Sequence, residues 1–258
     1  MTEAPLLVAQ LTDIHLFADP EKFSKGVQTA RSFQAVVDYL RKIQPQPDLL
    51  LLTGDLSNDE TPESYQALWR SLAPLQIPTV WVPGNHDRPA VMEPILSQPP
   101  FLLVRSLHRS GWQILLLNSV LPETVHGELS LETLDWLDRT LADSPQTPTM
   151  ITVHHPPLML GAPWMDEINL HNWDALRRVI RRHVQVRMVV FGHLHQEVDQ
   201  MREGVRYLCC PSTCAQFTSD RLSFGIDARN PGLRLFRLYP NGEYLTWVER
   251  VAVVPAAV

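Results

Sequence analysis

Pro83-Gly84-Asn85-His86-Asp87 is the stretch that most restricts how this chain can fold. It follows Pro78-Thr79-Val80-Trp81-Val82, a β-branched and aromatic run that reads as a strand buried on both faces. Proline ends strand pairing and glycine accepts backbone angles that other residues resist, so the chain must turn sharply there. The turn then offers an amide oxygen, an imidazole and a carboxylate in consecutive positions at a strand's C-terminal end. That edge is where open α/β sheets bind ligands. Asn and Asp are also ordinary turn residues, so this stretch alone does not separate a site from a turn.

The same arrangement recurs along the sequence. Leu6 to Leu11 forms a first strand that ends in Thr12-Asp13-Ile14-His15. Residues i and i+2 at a strand end point the same way, so Asp13 and His15 can converge on one ion. Phe33, Val36, Val37, Leu40 and Ile43 lie at helical spacing within Gln28 to Ile43, and Pro45 and Pro47 stop that helix. Asp48 to Thr53 is a second buried strand, followed at once by Gly54-Asp55. Thr61 is the expected N-cap of the next helix, with Pro62 at its first position. Carboxylates and an amide delivered from strand ends between helices are the pattern of a βαβ sheet with a site along one edge.

Beyond Phe101 a second series begins. Trp112 to Leu117 is a strand ending in Asn118-Ser119, and Ser130 caps a helix with Leu131, Leu134, Leu137 and Leu141 on one face. Thr149 to Val153 runs into His154-His155-Pro156-Pro157, where His154, nearer the strand, is the better placed ligand. Arg177, Arg178, Arg181 and Arg182, on a helix expected over 173–183, read as a solvated face. Val186 to Phe191 ends in Gly192-His193-Leu194-His195, again an i, i+2 pair. From about Glu197 to Val253, short alternating runs broken by turns predict an antiparallel sheet of hairpins. No repeat or linker is visible, so a single domain over 1–258 is expected.

Charge and cysteine content narrow the chemistry. A net charge of −6 argues against retention on nucleic acid or anionic membrane by general basicity. It does not argue against phosphate ester hydrolysis, provided metal ions supply positive charge locally. No apolar run approaches the ~20 residues of a membrane span. Met1 to Pro5 shows no basic leader, so no secretory signal is visible. Cys209, Cys210 and Cys214 are a poor disulfide framework and a poor zinc spacing, and read as small buried residues in a reducing, cytoplasmic setting.

Asp-x-His, Gly-Asp, Gly-Asn-His-Asp, His and Gly-His-x-His therefore follow one another from five strand ends. In this ordered set the sequence resembles the calcineurin-like metallophosphoesterases, over nearly its whole length. Within them it is most similar to the bacterial class III 3′,5′-cyclic nucleotide phosphodiesterases of the CpdA or Icc type, through Leu11-Thr-Asp-Ile-His-Leu-Phe-Ala-Asp19, Trp112-Gln-Ile-Leu-Leu-Leu117, His126-Gly-Glu-Leu129 and Pro211-Ser-Thr-Cys214. The resemblance implies an α/β fold, a four-layer αββα sandwich of two mixed sheets flanked by helices. It implies two divalent metal ions, with Asp13, His15 and His195 on the first, Asn85, His154 and His193 on the second, and Asp55 bridging both. Imidazole and oxygen donors without thiolate suit iron, manganese or zinc.

By the same resemblance, two such ions lower the pKa of a water, which attacks phosphorus in line. His86, with Asn85 filling the ligand position, is free to contact the phosphate and protonate the leaving 3′-oxygen. Asp87 is expected to orient His86, with capping of the turn as the other reading. Asn85, His86, His126 and Asn58 are carried over as substrate-facing, and Asn118 stands where relatives often have aspartate. The implied reaction is hydrolysis of 3′,5′-cyclic AMP, a small cyclic nucleotide substrate. The core motifs do not exclude other cyclic nucleotides, glycerophosphodiesters, 2′,3′-cyclic nucleotides or phosphomonoesters. The loop from Pro156 to His171, with Trp164 and Met165, is the expected wall toward a base, with core packing as the alternative.

Overall fold

A computed structural model describes residues 4–219 and 222–253; Met1 to Glu3, part of the stretch read for a leader, lie outside these. The strands are β1 (Leu6–Leu11), β2 (Phe23–Ser24), β3 (Val27–Gln28), β4 (Leu49–Thr53), β5 (Thr79–Val82), β6 (Ser106–Arg109), β7 (Trp112–Leu116), β8 (Thr149–Thr152), β9 (Val186–Phe191), β10 (Val198–Arg202), β11 (Val205–Cys209), β12 (Gln216–Phe217), β13 (Ile226–Asp227), β14 (Gly232–Leu238) and β15 (Tyr244–Arg250). The helices are α1 (Thr29–Lys42), α2 (Pro62–Leu72), α3 (Pro89–Met92), α4 (Leu131–Ala142), α5 (Pro163–Asp166) and α6 (Trp173–Ile180).

Two mixed sheets dominate, with strand orders β15-β14-β1-β4-β5 and β10-β11-β9-β8-β7-β6. Alternation within the strands builds the layers. Val8, Leu49, Leu51, Val80 and Val82 of the first sheet pack against Ile114, Met150, Met188 and Val190 of the second. Their sequence neighbours Ala9, Leu50, Leu52 and Trp81 turn outward to a core that includes Phe33, Val37 and Leu40 of α1 and Leu68 of α2. On the far side, Ile151, Val189 and Phe191 pack with Leu137, Leu141 and Leu176. Strands buried on both faces read as continuous apolar runs, as these do. The layers are thus helix, sheet, sheet, helix.

Polar residues also cross the gap between the sheets. Buried Arg234 of β14 donates through Nε and Nη2 to the Cys209 carbonyl, at 3.2 and 3.1 Å. Gln10 of β1 donates to the Phe191 carbonyl at 2.9 Å. These bonds fix one sheet over the other at the ends where the ligand-bearing loops emerge.

Two local expectations are corrected. The C-terminal hairpins do not form one antiparallel sheet: β10-β11 extends the second sheet, where β11 pairs parallel with β9, and β14-β15 extends the first beside β1. Each covers an otherwise unpaired edge of the parallel strands. Leu131 is 80% exposed, because only Leu134, Leu137 and Leu141 of α4 reach the sheet. Other readings hold. Thr61 and Ser130 accept from the N–H groups of Ser64 and Thr133 as N-caps. Arg177 and Arg181 bind Glu203, Arg178 binds Asp174 and Arg182 binds Asp138, so the basic face is exposed and internally paired. The three cysteines are free and buried, and burial raises their thiol pKa values. No helix among the described residues is long and apolar enough to cross a membrane.

Candidate metal centre

The C-terminal ends of the parallel strands in both sheets open onto one cleft. β1 delivers Asp13 and His15, β4 delivers Asp55 and β5 delivers Asn85; from the other sheet β8 delivers His154 and β9 delivers His193 and His195. The turns that carry them are strained. Asp13, His15, Asp55, His193 and His195 all have φ between 50° and 70°, a left-handed conformation uncommon for residues with a side chain. Such strain persists only where surrounding contacts enforce it, and it concentrates at functional sites. Glycines make the approach possible. A Cβ on Gly84 would lie 2.2 Å from Asp55 Oδ1, and one on Gly54 would lie 2.3 Å from His154 Nδ1.

Two donor sets face a shared carboxylate. Ligand atoms of Asp13, His15 and His195 lie within 4.8 Å of one another. His154 Nε2 stands 3.2 Å from Asn85 Oδ1 and 3.2 Å from His193 Nδ1. Asp55 Oδ2 is 3.7 Å from His15 Nε2, while Asp55 Oδ1 is 3.3 Å from His154 Nε2. One carboxylate thus turns an oxygen toward each set, and the seven residues named from the sequence gather at a single centre.

Hydrogen bonds behind the rings fix which nitrogen faces inward. His154 Nδ1 donates to the Thr53 carbonyl at 2.7 Å, and His195 Nδ1 donates to the Ala215 carbonyl at 2.7 Å. A carbonyl only accepts, so both rings present Nε2 to the centre. His155 is different. Its Nε2 donates to the Val125 carbonyl at 3.1 Å and its Nδ1 accepts from the Ser119 hydroxyl at 2.8 Å, so neither nitrogen is left for a ligand. His155 clusters with His154 and His193 by distance, but its bonds make it a support.

The electrostatics are those of a centre that draws positive charge. Burial opposes charge on Asp13 and Asp55, yet the neighbouring His195 and His154 hold both carboxyls below their ordinary range. Burial pulls His15 down to about 3, and burial with the charge of His154 does the same to His193. His154 goes the other way: burial is outweighed by Asp55 and Asp13, and its pKa rises to about 9. The two carboxylates thus favour positive charge at this point. Divalent cations supply more of it than a proton does. Buried His15 Nδ1 and His193 Nε2 have no hydrogen-bond partner. Imidazole, carboxylate and amide oxygen, without thiolate, fit iron, manganese or zinc.

The turn after Asn85 departs from expectation at Asp87. Its carboxylate accepts from the N–H groups of Leu56 (3.1 Å), Ser57 (3.0 Å) and Gly84 (2.9 Å), and from the Tyr65 hydroxyl at 3.3 Å. Among the described residues no hydrogen bond joins it to His86. Asp87 ties the Asp55 loop to the Asn85 turn, because three buried N–H groups left by those turns need an acceptor there. Burial and the charge of Asp55 raise its carboxyl to about 6. His86 is held instead through its backbone, whose N–H donates to Asp55 Oδ1 at 2.9 Å. Its exposed ring stands edge-on to His15 with centroids 4.9 Å apart.

His15, Asp55, Asn85, His86, His193 and His195 line a cavity of about 510 Å³, and Asn58 joins them. His126 does not line it: the ring stacks flat on His171 at 3.7 Å, and Val125 faces the cavity in its place. Asn118 points outward and caps the Val120 N–H. Trp164 lines the cavity, whereas Met165 is core. Sequence reasoning missed Phe17, Phe23, Phe217 and Phe224, which also line it. Phe17 lies in the stretch Leu11 to Asp19 that carries the family resemblance but is not singled out there, and Phe23, Phe217 and Phe224 sit outside the long strands and helices whose periodicity is legible.

Comparison with known proteins agrees with this geometry. The family model for calcineurin-like phosphoesterases matches residues 6–197. A 3′,5′-cyclic-nucleotide phosphodiesterase of Nostoc sp. is 47% identical over 96% of this chain and 93% of its own length. The 3′,5′-cyclic adenosine monophosphate phosphodiesterase CpdA of Escherichia coli K12 is 39% identical over 97% of this chain and 91% of its own. Among solved structures, a dimetal phosphatase from Danio rerio aligns with a TM-score of 0.67 at 14% identity, covering 95% of this chain and 99% of that one. At that identity the likeness speaks for the fold.

Proposed function

The chain belongs to the calcineurin-like phosphoesterases, and from that premise we propose that it hydrolyses 3′,5′-cyclic AMP to adenosine 5′-monophosphate at the centre described above. The observation that carries this reading is the near full-length similarity to cyclic-nucleotide phosphodiesterases, at 47% identity for the Nostoc protein, combined with an intact set of converging donors. Asp13, His15 and His195 would hold one divalent ion, Asn85, His154 and His193 the other, and Asp55 both. When bound, the ions supply positive charge that brings the pKa of a water toward neutrality and offsets charge growing on the phosphoryl oxygens.

The chain's own residues do the rest. The backbone bond from His86 to Asp55 Oδ1 sets the imidazole at a fixed offset from the bridging carboxylate. From there His86 donates a proton to the leaving 3′-oxygen, a general-acid task worth typically ~10²–10⁴-fold in rate. Asn58, on the cavity wall and 3.4 Å from Ser24 Oγ, offers its amide to the phosphate side of the substrate. Asp87 positions this machinery by holding both of its loops. Free, buried thiols suit the reducing cytoplasm we assign as its compartment.

The test is a panel of 3′,5′-cyclic AMP, 2′,3′-cyclic AMP, a glycerophosphodiester and p-nitrophenyl phosphate, offered to Mn²⁺-loaded protein. The highest kcat/KM is expected for 3′,5′-cyclic AMP, with adenosine 5′-monophosphate as product. Rapid hydrolysis of the others with 3′,5′-cyclic AMP left intact would overturn the reading.

A further inference from the structure

The cavity changes character as it leaves the donor set. Phe217 lies flat on His195, ring centroids 4.0 Å apart and planes at 6°. Phe224 meets Phe217 at 4.9 Å and 70°, and meets Trp164 at 5.6 Å and 88°. An unbroken chain of aromatic contacts therefore runs from a metal-ligand candidate to the mouth. At that mouth Phe224 is 49% exposed and Phe23 is 63% exposed, and both line the same cavity. Phe23 comes from β2 near the start of the chain, and Phe224 from the loop ahead of β13 near its end. Lys25 holds its ammonium 5.5 Å from the centroid of the Phe224 ring.

A single exposed phenylalanine is ordinary. Two from distant parts of the sequence, left open to water over one cavity and backed by further rings, describe a surface that a ligand covers. The chemistry of that ligand follows from the two ends of the cavity. The phosphoryl end belongs beside Asn85 and His86, where the donors are. A phosphate would gain little from the aromatic end, whereas a flat heteroaromatic ring would stack there. The cavity, about 510 Å³, falls within the ~300–1,000 Å³ typical of small-molecule sites and extends beyond the donors.

We propose that Phe23 and Phe224 form the base-binding clamp of this enzyme, with Phe217 and Trp164 as its floor, so that stacking on these rings contributes the affinity for the nucleobase. The inference rests on the nucleotide reading of the site and names the residues that would distinguish nucleotides from other phosphate esters.

The test measures, by calorimetry on Mn²⁺-loaded full-length protein, the Kd of adenosine 5′-monophosphate and of ribose 5-phosphate, which lacks the base. Wild type, Phe23→Ala, Phe224→Ala and Phe224→Tyr are compared. Stacking of one base on an aromatic side chain corresponds to about 5- to 150-fold in affinity. Wild type is expected to prefer the nucleotide by about tenfold or more. Each alanine variant should lose most of that preference with ribose 5-phosphate binding unchanged, and Phe224→Tyr should keep it. The KM for cyclic AMP should rise in step with the nucleotide Kd. Alanine variants that bind the nucleotide as tightly as wild type, or that lose both ligands alike, overturn the clamp. Wild type that leaves cyclic AMP intact overturns the functional reading instead, and the binding preferences still decide the clamp.

Discussion

Asp55 Oδ1 lies 3.3 Å from His154 Nε2, although the first comes from the end of β4 and the second from the end of β8 in the other sheet. Asp55 also turns Oδ2 toward His15, at 3.7 Å, so one carboxylate offers an oxygen to each donor set. Asp55→Asn keeps the shape but halves the anionic acceptors available to two cations. Changes behind a ligand cost about 10–100-fold in metal affinity or activity, so loss of a shared ligand should cost at least about 100-fold in kcat/KM. Metal analysis should find less than the full complement of Mn²⁺, and a variant with full metal and near wild-type rate would exclude the bridging role.

His86 reaches the site only through its exposed ring and a backbone bond, so its removal should spare the metals. His86→Ala is expected to lower kcat for cyclic AMP by ~10²–10⁴-fold, the range of a lost general acid, with metal content unchanged. A p-nitrophenyl ester, whose leaving group needs no proton, should suffer far less. Equal losses on both substrates would assign His86 to phosphate binding rather than proton transfer.

Asp87 receives three backbone N–H groups from two loops. Alanine there leaves buried donors without partners, a destabilisation of about 3 kcal/mol. At ~2–4 °C per kcal/mol for a chain of this size, Tm should fall by about 6–12 °C. Asp87→Asn, which keeps an acceptor oxygen, should fall less. If thermal melts show neither variant differing from wild type, the carboxylate does not hold the two loops together.

Asp55 and Asp87 show what could be read in advance and what could not. A buried apolar run that ends in a carboxylate, amide or imidazole, with a glycine before it in three of the five cases, is a one-dimensional pattern, and all seven candidate ligands lay at such ends. The left-handed backbone at Asp13, His15, Asp55, His193 and His195 was not readable, because only tertiary contacts force side-chain-bearing residues there. Nor was the partner of Asp87, since the choice between His86 and three amides is settled by how two distant loops meet. The hairpins after Glu197 were readable as hairpins, but which sheet each would join depends on which edge stands open. Phe23 and Phe224 carried no pattern at all.

Asp138 of α4 offers a pH test away from the centre. Its Oδ1 sits 2.6 Å from His183 Nε2 and 3.0 Å from Arg182 Nη2, and the His183 hydrogen bond, followed by Arg182, lowers its carboxyl pKa. A carboxyl lowered on folding adds stability above its unfolded value, near 3.8, and loses that contribution as pH falls through the lower folded value. With the side chain 39% exposed, solvent screening limits the effect to at most about 1 kcal/mol. Asp138→Asn should therefore melt slightly below wild type at pH 7, with the gap closing as pH falls below the unfolded value near 3.8. A gap that stays constant through acid titration to full protonation of the carboxyls would exclude this linkage.

Metal removal should act on stability as well as on rate, and in a way that separates the centre from an ordinary buried polar cluster. Without cations the site must keep Asp13, Asp55 and four buried imidazoles together, with His154 protonated against the cost of burial and His15 and His193 held neutral. Cations that bind only the folded chain stabilise it by RT ln(1 + [L]/Kd), about 2.7 kcal/mol at a hundredfold excess over Kd. Chelator-treated protein should accordingly lose activity and melt several degrees lower. Titrating Mn²⁺ back should raise Tm continuously, with no plateau at saturation of the sites, because mass action continues to favour the folded state. Asp55→Asn should show a much smaller rise over the same titration. A Tm that ignores Mn²⁺ in the wild type would mean that the converging donors are satisfied by protons alone, and the case for a dimetal centre would fall with it.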